Sequence, residues 1–181
     1  METGTIFRRV ACVALLAGVA TLLVPARARA MTLAAMDLED LTHTSSLVVR
    51  ARCIDRQAVR NESGQVETVV RFQVLESAKG QAPAYVTVRQ LGGRLDGLDV
   101  VVPGAPQSQE GDEAVMFLEP GTDERMQVVG LARGYYPVVA MPGGSAVVRV
   151  ASALDRKFPA GGMRSVVEFL HRVREIDGKG Q

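Results

Sequence analysis

The chain has 181 residues, 47% hydrophobic and 4% aromatic, with 21 Lys+Arg against 20 Asp+Glu and a formal charge of +1. So even a balance excludes the strongly basic footprint with which a domain holds nucleic acid or anionic lipid. No tandem repeat and no low-complexity linker interrupts the chain, so it belongs with single globular domains.

The first element is a leader. Arg8 and Arg9 precede an uncharged apolar run, Val10 to Val24, followed by Pro25 and "ARARA" with small-x-small sites ending at Ala28 and Ala30. Basic, apolar and small residues in that order read as a secretory signal peptide. The run of 15 residues is shorter than the ~20 a spanning helix needs. Cleavage is expected between Ala30 and Met31, leaving no membrane span and an exported product, periplasmic or secreted. An uncleaved signal acting as an anchor is the alternative. Val10, Ala11 and Cys12 fit a twin-arginine signal poorly, and Cys12 lies inside the apolar run rather than after it, which excludes a lipoprotein.

Residues 31–181 number 151, with 17 Lys+Arg and 19 Asp+Glu, a formal charge of −2. That length fits one domain, expected over 31–176 with a C-terminal helix at 163–176 and a disordered tail at 177–181. Cys53 is the one cysteine left, so it cannot form a disulfide within the chain. It reads as a buried small hydrophobe with a free thiol, or as one half of an intermolecular bridge.

"MDLEDLTHTS" (36–45) predicts a short helix with Asp37 as N-cap and Leu38 and Leu41 on one face. "SLVVRARCI" (46–54) alternates: Leu47, Val49, Ala51 and Cys53 take one face, Arg50 and Arg52 the other. The alternation breaks at Ile54–Asp55, where a bulge is expected. "NESG" (61–64) is a turn. "QVETVVRFQVLES" (65–77) puts Val66, Thr68, Val70, Phe72 and Val74 on one face and Glu67, Arg71 and Gln73 on the other, with Cys53 near Phe72 across the hairpin. Further strands are predicted at 85–91, 97–102, 112–120, 126–140 (interrupted at Gly130 and Gly134) and 145–152. Six to seven strands at hairpin spacing argue for a small antiparallel barrel or sandwich. "SVVEFLHRVREI" (165–176) carries an apolar stripe of Val166, Phe169, Leu170, Val173 and Ile176, with Ser165 and Glu168 as a capping box and Glu168–Arg172 as an i,i+4 pair. Packing over an open end of the barrel is the simplest partner for that stripe.

Chemistry-bearing patterns are sparse. His43 and His171 have no second ligand at metal spacing, so no metal and no cofactor is expected. No G-x-S-x-G elbow occurs, and no catalytic residue can be named. "GGRLDG" (92–97) is glycine-rich, but "LDVVV" follows it, which is strand-like. A phosphate loop needs a helix there. Glu110, Asp112 and Glu113 cluster beside Gly111, and Glu119 ends the strand. Acids flanking a turn read as solvated rather than as a catalytic pair or a calcium loop. Nucleic acid is disfavoured, since the core needs Phe72, Phe117 and Phe169 and few aromatics remain for stacking. Asn61-Glu62-Ser63 matches a glycosylation acceptor, idle in a bacterium. A count of 18 Arg against 3 Lys has a bacterial look.

Two surface features remain. Arg50, Arg52 and Arg71 could form a basic face for an anionic partner or a plain solvated one. The segment Gly92–Gly111 holds Gly92, Gly93 and Gly97 around a short strand. It then makes a stiff excursion, Pro103-Gly104-Ala105-Pro106, in which both prolines fix φ. It is either a candidate docking loop or structural punctuation.

The "VPGAP" stretch (102–106), followed by Gly111-Asp112-Glu113 and Phe117-Leu118, resembles a segment of a group of bacterial exported proteins of unassigned function. More coarsely, the order Lys79-Gly80, Val86-Thr87-Val88, Gly111-Asp112-Glu113 and Phe117-Leu118, within residues 38–140, resembles the netrin-like barrel of tissue inhibitors of metalloproteinases. The resemblance implies a five-stranded oligonucleotide/oligosaccharide-binding (OB)-type barrel with a flanking helix, and no mechanism. Those inhibitors resemble one another in an N-terminal zinc-chelating cysteine and several disulfides; residues 31–181 have only Cys53, so that chemistry does not carry over. The expected function is a non-enzymatic exported protein that binds another exported protein. A modulator of an exported protease, and a hydrolase whose site assembles from distant residues, are the alternatives.

Overall fold

A computed structural model describes residues 36–121, 123–141, 146–149 and 163–180. The leader, and with it the site around Ala28, Ala30 and Met31, lies outside the described residues.

Helix α1 (Leu38–Thr44) begins on a capping box: the Asp37 carboxylate accepts from the Glu39 and Asp40 amides, and the Asp40 side chain accepts from the Asp37 amide. It leads into a long hairpin of β1 (Leu47–Arg60) and β2 (Val66–Lys79). Strand β3 (Tyr85–Leu91) follows, then a small separate hairpin of β4 (Gly93–Leu95) and β5 (Leu98–Val100). The chain returns as β6 (Glu113–Pro120) and β7 (Met126–Val128), makes a 3-10 turn at Leu131–Gly134, and continues as β8 (Tyr135–Ala140), β9 (Ala146–Arg149) and β10 (Met163–Ser165). Helix α2 (Val166–Lys179) closes the sequence.

The sheet order β1-β2-β3-β7-β6 with an added β1–β6 ladder closes a five-stranded barrel. That order is the OB-type arrangement. The barrel is mixed, not purely antiparallel as expected from hairpin spacing: β3 and β7 run parallel, Val88 beside Met126. The reason is arithmetic. A closed ring with an odd number of strands cannot alternate direction all the way round, so one pair must run parallel. The expected bulge is present, since the β1–β2 register slips between Cys53 and Asp55, and Cys53 lies opposite Phe72.

Two cores result. Leu47, Val49, Ala51, Cys53, Val70, Phe72, Val88, Met116 and Leu118 fill the barrel. Val48, Val115 and Phe117 alternate with those positions, so they point outward, where Leu41 of α1 and Phe169, Leu170 and Val173 of α2 cover them. Phe117, Tyr136 and Phe169 meet there edge to face and tilted, with centroids 4.9–6.2 Å apart, a geometry that adds to simple area burial. The stripe of α2 therefore covers an outer sheet face, not an open barrel end. This is why β6 is apolar on both faces: it has cover on both.

The start and end of α2 also differ from expectation. β10 pairs with β9 immediately before it, Ser165 opposite Val147. The Ser165 side chain makes no capping bond, and the helix runs through Asp177 to Lys179 instead of fraying. Arg172 pairs with Glu175, not with Glu168. Lys79 holds the far end, its Nζ donating to the Thr42 carbonyl at 2.6 Å and pairing with Asp177 at 3.5 Å. No helix among the described residues is long and apolar enough to cross a membrane.

Candidate functional site

The Gly92–Gly111 segment is anchored at four places. Gly92 donates its amide to Val66 O at 3.1 Å and accepts from Thr68 Oγ1 at 2.7 Å. Gly104 O accepts from the Ala132 amide at 2.8 Å. Ser108 is fully inside: its amide donates to Gln90 Oε1 at 3.2 Å, its Oγ accepts from Gln90 Nε2 at 2.8 Å, and Oγ lies 2.9 Å from the Tyr135 hydroxyl. Gly111 donates to Cys53 O and Asp112 O accepts from the Cys53 amide, both at 2.8 Å.

Glycine is required where the chain turns into this arrangement. Gly92 has φ +85, and a Cβ there would lie 2.4 Å from Val100 O. Gly93 has φ +137, and its Cβ would lie 2.3 Å from Thr68 Oγ1. Gly97 closes the two-residue turn of the β4–β5 hairpin in open space. Pro106 is buried, Ala105 is half-buried with its amide bonded to Val102 O, and Pro103 and Gly104 are exposed. The segment thus packs at both ends and projects between them. Its tip carries Leu98, 49% exposed, and Val101, 75% exposed.

The three candidate basic-face arginines are engaged in two separate groups. Arg50 and Arg52 both bind the Glu113 carboxylate, while Arg71 stacks over the Tyr85 ring with its Cζ 4.6 Å from the centroid. Arg52, Gln73 and Tyr85 form one outward row across three strands, and Asp55, Arg71 and Thr87 the next. Glu113 and Asp55 offset most of the positive charge of this face.

The acids beside Gly111 also divide. Glu113 is spent on the two arginines, Glu119 accepts from Gln127 Nε2 at 3.2 Å, and Asp112 accepts the Gln109 amide at 2.7 Å. Two polar groupings carried no motif. One is Gln90–Ser108–Tyr135. The other surrounds Glu67, which points outward as its strand position requires yet is 2% exposed. Arg125 Nη1 donates to it at 2.9 Å, Asn61 Nδ2 at 3.4 Å, and Arg89 stands 4.0 Å away. These groups line a cleft of about 530 Å³ between the β1–β2 turn and the β6–β7 turn. Asn61 is also the hub of its own turn, its Oδ1 accepting from the Ser63 and Gln65 amides.

A second cleft, of about 670 Å³, opens between the end of the Gly/Pro segment and β8; Arg52, Gln107, Asp112 and Tyr135 supply its polar wall. Cys53, whose backbone bonds to Gly111 and Asp112 of that lining, is buried as a free thiol. Burial, then the Asp112 charge, raises its pKa above the ordinary value; burial chiefly raises that of Tyr135 as well. A thiol held protonated is a poor nucleophile. His43 and His171 are both exposed, and among the described residues no group of three or more His, Cys, Asp or Glu is placed to hold a metal ion. No protein-family model and no curated protein matches the chain.

Proposed function

We propose that this is an exported, non-enzymatic binding protein that docks onto another exported protein through residues 98–104. One observation carries the reading: Leu98, Val101, Pro103 and Gly104 are exposed on a segment tied down at Gly92, Gly104, Ser108 and Gly111. An apolar tip normally buries itself; one held out by buried hydrogen bonds on either side is available to a partner. A segment already fixed loses little conformational entropy on docking. Export rests on the basic-apolar-small order of residues 8–30.

The test is capture from the exported fraction with tagged protein, wild type against Leu98→Asp/Val101→Asp. The reading expects one exported protein retained by wild type and lost in the double variant, with thermal stability unchanged. Capture indifferent to the double variant contradicts it. A protease as the captured protein would identify the partner class suggested by the netrin-like resemblance.

A further inference from the structure

We infer that the 670 Å³ cleft is a strand-addition site, accepting an extended peptide segment that carries a lysine or arginine side chain. The site uses none of residues 98–104, so it and the docking tip can fail separately.

The argument starts from where the sheet stops. Strand β6 lies between β1 and β8. Its ladder with β1 ends at Arg52–Glu113, and its ladder with β8 ends at Glu113–Val138. Upstream of Glu113 the chain does not continue along that line. It bends at Gly111, φ +87, and bonds back to Cys53. Strand β8 nevertheless runs on to Ala140, paired on its other side with β9 through Val139–Val147 and Ala140–Ala146. Beyond Val138, therefore, the side of β8 that faced β6 has no ladder partner among the described residues. A strand edge of that kind is a template for another chain, and strand addition is a common way of reading extended peptides.

The cleft occupies the place of the missing strand. Its lining runs from Arg52 on β1 through Gly111 and Asp112 to Val139 and Ala140 on β8. At a rise of about 3.3 Å per residue, a segment of three or four residues would span the edge from Val138 to Met141. Val139 and Ala140 form its apolar side, and Met141 at the end is exposed.

Charge selects the occupant. In the lining, Asp112 and Glu113 outnumber Arg52; Glu113 is shared between Arg52 and Arg50, whereas Asp112, with Glu110 near it in sequence, is exposed and carries no ion pair among the described residues. Asp112 offers Oδ1 to a ligand while Oδ2 holds the Gln109 amide. A basic side chain projecting from the added strand meets that carboxylate; an acidic one meets repulsion.

The test is an amide-resolved NMR titration of the protein with the capped peptide Ac-Val-Lys-Val-Thr-Val-NH2. Controls are its glutamate counterpart and a version of the lysine peptide with alternate backbone nitrogens methylated. The expected result is shifts at Gly111–Glu113 and Val139–Met141 with the lysine peptide. The glutamate and methylated peptides should bind at least about tenfold more weakly. Asp112→Asn, which can still accept from the Gln109 amide, should lower affinity for the lysine peptide without altering the free spectrum elsewhere. No shift at about 2 mM peptide, shifts at other residues, equal binding of the glutamate peptide, or indifference to backbone methylation would each overturn the inference. Shifts at the same amides on dilution of the protein alone would assign the edge to a second copy, and would overturn it too.

Discussion

Ser108 Oγ and the Tyr135 hydroxyl lie 2.9 Å apart inside the barrel mouth, joining the Gly/Pro segment to β8. Gln90 completes the grouping from β3. Buried polar groups are costly to orphan and cheap to remove together. Ser108→Ala takes one hydroxyl away and leaves two buried partners short, so it is expected to cost about 2–3 kcal/mol. Tyr135→Phe leaves Ser108 bonded to Gln90 and is expected to cost only about 1 kcal/mol. Urea unfolding of the two variants measures both. Equal costs would mean the grouping does not hold the segment.

Glycines 92 and 97 both have positive φ, but only one is also crowded. Gly97→Ala meets open space and incurs the left-handed penalty alone, about 1–2 kcal/mol. Gly92→Ala adds a Cβ against a backbone carbonyl and must displace the β4–β5 hairpin. Its cost should exceed that of Gly97→Ala by at least about 1 kcal/mol. Thermal melts of the two variants provide the comparison.

Alkaline pH should weaken the fold from the barrel mouth. Burial raises the folded pKa values of Cys53 and Tyr135 above their ordinary 9.0 and 10.0. The folded state then keeps protons that the unfolded chain releases, so stability is full below about pH 9 and falls as pH rises through the unfolded and then the folded values. Melting temperature measured from pH 7 to 10.5 should drop, and Cys53→Ala should flatten the first part of that drop. A Cys53→Ala profile parallel to wild type would contradict the assignment.

Glu67 is a buried carboxylate whose closest cation is Arg125. Arg125→Met removes the charge but leaves the carboxylate in place. Losing one partner of a fully buried pair costs about 3–5 kcal/mol, and the partial exposure of Arg125 lowers the expectation to about 2 kcal/mol. Glu67→Gln keeps an acceptor oxygen for Arg125, gives up the one that faces Asn61, and should cost less. Chemical denaturation decides the order, and the reverse order would show that Arg125, not Glu67, is the stabilised group.

Much of the barrel was legible in local pattern. Leu47, Val49, Ala51 and Cys53 against Arg50 and Arg52 announced a half-buried strand, and the break at Ile54–Asp55 announced the bulge. Val48 did not announce its cover, because a small apolar residue on an outward face reads the same whether solvent or Phe169 lies above it. The parallel β3–β7 pair was also hidden. It follows from closing an odd-numbered ring, a property of the whole sheet and not of any stretch. At the candidate site, Gly92, Gly93 and Pro106 were readable as special positions, but Ser108 and Gln90 were not. Serine and glutamine look solvated in sequence, and only their meeting with Tyr135 across the barrel mouth removes them from water. Arg50, Arg52 and Glu113 illustrate the converse: the arginines were visible as a pair, and the carboxylate that both bind arrives from a strand about sixty residues away.

The central claim is that residues 98–104 form the surface that meets another exported protein. A photoreactive amino acid placed at Val101, with a second version at Thr87 on the sheet face as control, tests it in intact cells. The account predicts a discrete cross-linked species from position 101 and none from position 87. A cross-link from position 87 alone, or none from position 101 when the protein is fully exported, would contradict it.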